Sequence, residues 1–190
     1  MAFARGFKTW ATKLADETRT DLGIGKFDRL NPRILAEFLA IPIFDLSSFR
    51  EEVPSVAHLL DVEVDVFSAL TVFDWPKRSI VHNDKHPRNR QNSNLAHELS
   101  HGLLNHPPTP AMDDNGCRIW NQDLEDEAHH LAGCLLIGNS AAIAIAKGTW
   151  TISGAGHHFG VSEQMVNYRV NTTGARKIVS RSKRLRMKSL

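Results

Sequence analysis

Residues His97-Glu98-Leu99-Ser100-His101 spell H-E-x-x-H in a stretch that otherwise reads as helix. On a helix, positions four apart lie one turn above each other on one face, so both imidazoles can converge on a single metal ion. Glu98 between them can poise a water as nucleophile and then carry its proton. The pattern points to a zinc-dependent hydrolase, with a peptidase as the first expectation. The chain holds ten histidines, so the motif needs support from its surroundings.

Composition narrows the setting. An apolar fraction of 42 % supports a buried core, and 23 % charged residues argue for a soluble surface. No run approaches the roughly 18–20 apolar residues needed to span a bilayer, so no membrane role is expected. Met1 to Gly6 lack the apolar block of a signal peptide. Two cysteines, Cys117 and Cys134, make no disulfide framework and are expected as reduced thiols, which suggests a cytoplasmic protein. The length suits one domain, here taken as residues 1–174, followed by a basic C-terminal tail, 175–190. That tail carries Arg176, Lys177, Arg181, Lys183, Arg184, Arg186 and Lys188 with no acid. Taking those seven from the 23 basic residues leaves 16 against 21 acidic ones. A weak contact with nucleic acid is one reading of the tail; a solvated terminus is the other.

Periodicity places the elements. Phe3, Phe7, Trp10, Ala11, Leu14 and Ala15 recur at helical steps across 3–22, and Gly23 and Gly25 end that helix. Asn31-Pro32 opens a short helix from Arg33 to Leu39. Residues 41–46 read as an edge strand, 53–60 as a helix, and 64–73 with 79–82 as a small antiparallel sheet. Asn83 to Asn92 reads as a polar loop, and the H-E-x-x-H helix is expected from Ser93 or Asn94 until Pro107-Pro108-Thr109-Pro110. A loop through Asp113-Asp114-Asn115-Gly116 leads to a strong helix over 122–137, then another from Ala141 to Ala146. A late helical segment, 151–174, forms two short helices around Gly160.

A catalytic zinc site needs a third protein ligand. The three-histidine extension H-E-x-x-H-x-x-G-x-x-H fails, because its last position is Pro107 and the glycine, Gly102, comes too early. His106 on a continuing helix would point roughly 140° away from His101, and reads as a helix-end histidine. A carboxylate from the 122–137 helix is the other solution. Asp126 points away from the apolar face of Leu124, Ala128, Leu131 and Leu135, whereas Glu125 and Glu127 flank it on opposite sides. Periodicity does not choose between those two, and both also suit the first turn of a helix as dipole partners. The zinc-deaminase pattern is missing, since no C-x-x-C exists, and so is G-x-S-x-G. A nucleophile built on Cys117 has no supporting neighbours. His129-His130 and His157-His158 are adjacent pairs whose side chains diverge on a helix.

Read with its flanks, Asn94-Leu95-Ala96-His97-Glu98-Leu99-Ser100-His101-Gly102-Leu103-Leu104-Asn105-His106 is similar to the L-A-H-E-L-G-H-x-L-L-x-H segment of the ImmA/IrrE family of metallopeptidases. Glu125-Asp126-Glu127-Ala128 through Leu136 resembles that family's E-x-E-A-(N/D)-x-F-A-x-x-L-L block. Gly160-Val161-Ser162 with Tyr168-Arg169 resembles its later G-V-S … R-(L/V) segment, and the likeness covers roughly residues 20–175. Ser100 stands for the usual glycine, Ser93-Asn94 for the pair before L-A-H, and Leu136-Ile137-Gly138 for L-M-P; none is a ligand or the base.

The resemblance implies an α+β zincin-like metallopeptidase fold. A small antiparallel sheet would pack on the H-E-x-x-H helix and on a second ligand-bearing helix, with a short helical C-terminal segment. It implies Zn²⁺ held by His97, His101 and Glu127, the glutamate directly before the alanine, with Glu125 as the alternative and Glu98 as catalytic base. It also implies cleavage of a partner protein, commonly a helix-turn-helix repressor, which here would be a separate chain. A non-cleaving module that sequesters such a regulator is the rival. Tyr168, Arg169, His157 and His158 are candidates for steadying the oxyanion.

Overall fold

The computed structural model describes residues 3–74, 76–108 and 121–187; Cys117 and most of the loop after Pro108 lie outside that set. Its centre is a helix. Residues Gln122–Leu136 form α5, capped by the Asn121 side chain on the amides of Asp123 and Leu124, and every residue from His130 to Leu136 is buried. Around it pack α1 (Phe7–Asp21), α4 (Arg88–Leu103) and α8 (Glu163–Thr172). Helix α1 buries Phe7, Ala11 and Ala15, the apolar stripe its spacing predicts, while Trp10 stays 48 % exposed at the stripe's margin.

Two buried arginines close the far end of α5, where helix carbonyls lack amide partners. Arg19 donates to Leu135 O at 2.7 Å, and Arg169 donates through Nε to Ile137 O at 3.0 Å and through Nη2 to Asn139 Oδ1 at 2.8 Å. A cation at a helix C-terminus also suits the dipole. Helix α6 (Asn139–Lys147) follows, then α7 (Ile152–Phe159). Gly160, at φ 66°, makes the left-handed turn into α8, whose N-cap is Ser162. Residues 175–187, expected as a tail, form α9 (Ala175–Met187), which packs on α6 and α8 through Ala175 and Val179. No single helix among the described residues is long and apolar enough to cross a membrane.

The sheet is small and mixed rather than antiparallel throughout. Its order is β1 (Ile43–Asp45), β3 (Lys77–His82), β2 (Ala69–Asp74). Strands β2 and β3 pair antiparallel from Ala69↔His82 to Asp74↔Lys77, but β1 runs parallel to β3, with Phe44 opposite Val81. The parallel pairing follows from the long crossover through α3 (Pro54–Asp61) and β2, which returns the chain to the same end of the sheet. The β-rich stretch Val64–Phe67 is not a strand. Asn83 donates to the carbonyls of Val64 and Phe67, so side-chain bonds replace a ladder, and Val66 is 70 % exposed. Helix α2 (Pro32–Phe38), capped by Asn31, packs against α4.

His130 gives the core a pH signature. It sits buried between the Phe3 and Phe7 rings and the Tyr168 hydroxyl, and burial, with Arg169 and Lys8 nearby, lowers its pKa to about 4. The unfolded chain takes up this proton first as pH falls. Stability from a neutral His130 is therefore whole above pH 6.5 and is lost between 6.5 and about 4. Thermal unfolding across that window should show a shallower fall of Tm for His130→Leu than for wild type. Parallel slopes would contradict the assignment.

Candidate metal centre

Helix α4 starts at Arg88, ahead of the Ser93 or Asn94 that its sequence suggests. Pro87 precedes its first turn, and the polar run Arg88–Asn94 is helical because Gln91 turns inward and donates to Asp84 O and His86 O. Beyond it, Leu95, Ala96, Leu99 and Ser100 are buried against the core. That orientation turns the other face, with His97, Glu98 and His101, towards α5 and the sheet.

Three donors meet there. His97 Nε2 lies 3.0 Å from Glu125 Oε2 and 3.1 Å from His101 Nε2, and His101 Nε2 lies 3.7 Å from Glu125 Oε1. A tetrahedral zinc with bonds of about 2.0–2.1 Å separates its ligand atoms by about 3.3 Å, which these spacings bracket. All three residues are partly exposed, which leaves room for a fourth, exchangeable position. Burial alone would raise the Glu125 carboxyl. Hydrogen bonds to His101 and His97 outweigh it and hold the group well below the usual carboxylate range. Glu125 thus stands as an anion beside the two histidines.

Glu127 is not part of this set. Two residues along a helix turn the side chain by about 200°, so Glu125 and Glu127 cannot face the same point. Glu127 instead sits 3.4 Å from His106 Nε2, and burial, with Asp123 nearby, raises its pKa. The carboxylate expected from the family block thus stands beside the site, and its alternative stands in it. Asp126, expected to point away, is buried and accepts a hydrogen bond from Gln122 Nε2 at 2.8 Å.

Glu98 faces the sheet. Thr71 Oγ1 on β2 donates to Glu98 Oε2 at 2.6 Å, which fixes one carboxylate oxygen and leaves Oε1 for a reacting group. Sequence reading missed Thr71, because nothing local marks a strand threonine as the partner of a helix glutamate 27 residues away. Thr71→Val should keep metal affinity and lower the turnover number about tenfold, in line with the loss of one hydrogen bond of about 1.5 kcal/mol to a charged group. Unchanged turnover would remove Thr71 from the machinery.

Two of the four oxyanion candidates, Arg169 and His158, are engaged elsewhere. Arg169 is committed at the far end of α5, 12 residues or about 18 Å of helix from Glu125. Tyr168 shares its hydroxyl with His130 and sets its ring 4.7 Å from that of His129, one turn along α5 from Glu125. His158 bonds Phe27 O at 2.8 Å and stacks on Trp150, and neighbouring His157 is exposed on the same short helix. Among the described residues, Arg78 on β3 is a cation that approaches, reaching His101 O at 3.5 Å and Asn105 Oδ1 at 3.3 Å.

A helix carrying H-E-x-x-H, a carboxylate from the next helix placed to be a third ligand and a sheet strand touching the glutamate are consistent with a metallopeptidase site. A family model described as the IrrE N-terminal-like domain of peptidase M78 matches residues 60–171. The match takes in more than half of the chain, and the protein belongs to this ImmA/IrrE family of metallopeptidases. No curated protein and no solved structure matches the chain.

Proposed function

We propose that the protein is a zinc-dependent endopeptidase with a zincin-like fold, acting in the cytoplasm on a separately encoded helix-turn-helix repressor. The observation that carries the reading is the meeting of His97, His101 and Glu125 beside a glutamate held ready by Thr71. His97 and His101, through Nε2, and Glu125, through its carboxylate, would hold Zn²⁺. The bound ion would supply Lewis acidity, polarising the scissile carbonyl and the attacking water. Glu98 takes the proton of that water at Oε1 as its oxygen adds to the carbonyl carbon. The same carboxyl then delivers the proton to the departing amine, and the C–N bond breaks to give one acid and one amine terminus.

Strand β2 supports a peptide substrate. Among the described residues it is an edge of the sheet, paired with β3, and Leu70 and Val72 are exposed on it. An extended segment pairing there would lie beside Glu98. A weak contact with nucleic acid belongs to the same proposal, supported by exposed Arg176, Lys177, Arg181 and Arg184 on α9, and its mark is affinity that falls steeply with salt.

The test is to incubate the zinc-loaded protein with a helix-turn-helix repressor encoded beside it and to read new termini by mass spectrometry. Two complementary fragments of the repressor are the expected result. A stable zinc-bound complex without fragments would favour sequestration instead.

A further inference from the structure

His106 has no place in the three-donor set, yet it is buried against it. The end of α4 explains how it got there. His106 N donates to His101 O and Asn105 N to Gly102 O, both at 3.0 Å, while Asn105 is left-handed at φ 52°. That pair of bonds is a Schellman cap with Asn105 at C′, and it folds the C″ residue, His106, back onto the C3 residue, His101. Arg78 holds the Asn105 side chain at 3.3 Å. A helix that continued would have sent His106 away; the cap reverses it. The rings end 4.9 Å apart, edge to face, with the two Nδ1 atoms at 2.9 Å.

Resting on the metal-centre reading above, we propose that Glu127 and His106 form a relay of hydrogen bonds that fixes the tautomer and aim of His101. Proton counting leaves one arrangement. A neutral imidazole carries one donor and one acceptor. His101 presents Nε2 to His97 and Glu125, so that lone pair goes to the metal and the proton sits on Nδ1. The Nδ1–H donates to His106 Nδ1, which must be bare. His106 then carries its proton on Nε2 and donates it to Glu127 Oε2, 3.4 Å away. A carboxylate ends the relay because it only accepts. His106 and Glu127 are positioning residues, and each acts on the ion through His101.

The experiment is a zinc titration against a competing chelator, paired with long-range ¹H–¹⁵N spectra of the imidazoles in the zinc-loaded wild-type protein. His106→Phe should raise the zinc Kd about 10–100-fold. Glu127→Leu should weaken binding in the same direction, and Glu127→Gln, which still accepts, should restore it. Asn105→Gly should bind as wild type, since glycine keeps the left-handed cap. The spectra should show His101 metallated at Nε2 and His106 protonated at Nε2. A wild-type Kd for His106→Phe, or His106 protonated at Nδ1 or itself metallated, would overturn the relay, and the spectra decide even if a variant fails to fold. The metal reading fails separately, if His97→Ala binds zinc as wild type does.

Discussion

Glu98→Gln should leave zinc bound and lower the rate of repressor cleavage by about 10²–10⁴-fold, the usual contribution of a positioned general base. The amide is nearly isosteric with the carboxylate, and the Thr71 hydroxyl can still donate to its oxygen, so the side chain keeps its place. What it loses is the ability to take a proton. Both halves of the reaction suffer, because the proton accepted from water is the one returned to the amine. Metal content by mass spectrometry and fragment yield by gel, on the same preparation, separate this outcome from simple loss of the ion. A glutamine variant that cleaves at the wild-type rate would show that Glu98 is not the base.

The second large effect distinguishes two glutamates only two residues apart. Glu125→Ala removes one of three protein ligands. Four-ligand zinc sites bind with an apparent 10–16 kcal/mol, so one ligand is worth about 3 kcal/mol, and the zinc Kd should rise roughly 10²–10³-fold. Glu127→Ala reaches the ion only through His106 and His101, so its effect should be about tenfold. Chelator competition at fixed pH measures both. The opposite ranking would return the third ligand to Glu127.

The H-E-x-x-H helix and the two helices around Gly160 were legible in the sequence because local signals specify them: periodicity, a serine cap, a glycine with positive φ. The core stripe of α1 was legible for the same reason. The choice between Glu125 and Glu127 was not. Both flank the apolar face of α5, and which one meets the histidines depends on how α5 crosses α4, a matter of tertiary packing. His106 was misplaced because its direction was reckoned on a continuing helix, although Asn105 is a residue that tolerates the left-handed turn of a cap. The start of α4 was hidden by its polarity, since its inward residue is Gln91, bonded to backbone carbonyls, rather than an apolar one. The direction of β1 was hidden because three residues carry no mark of parallel or antiparallel pairing.

The most direct measurement is anomalous diffraction at the zinc edge from crystals of the zinc-loaded protein. One strong peak is expected within about 2.0–2.2 Å of His97 Nε2, His101 Nε2 and a carboxylate oxygen of Glu125, with His106 and Glu127 outside bonding distance. A peak bound by Glu127 in place of Glu125, or none between the two histidines, would contradict it.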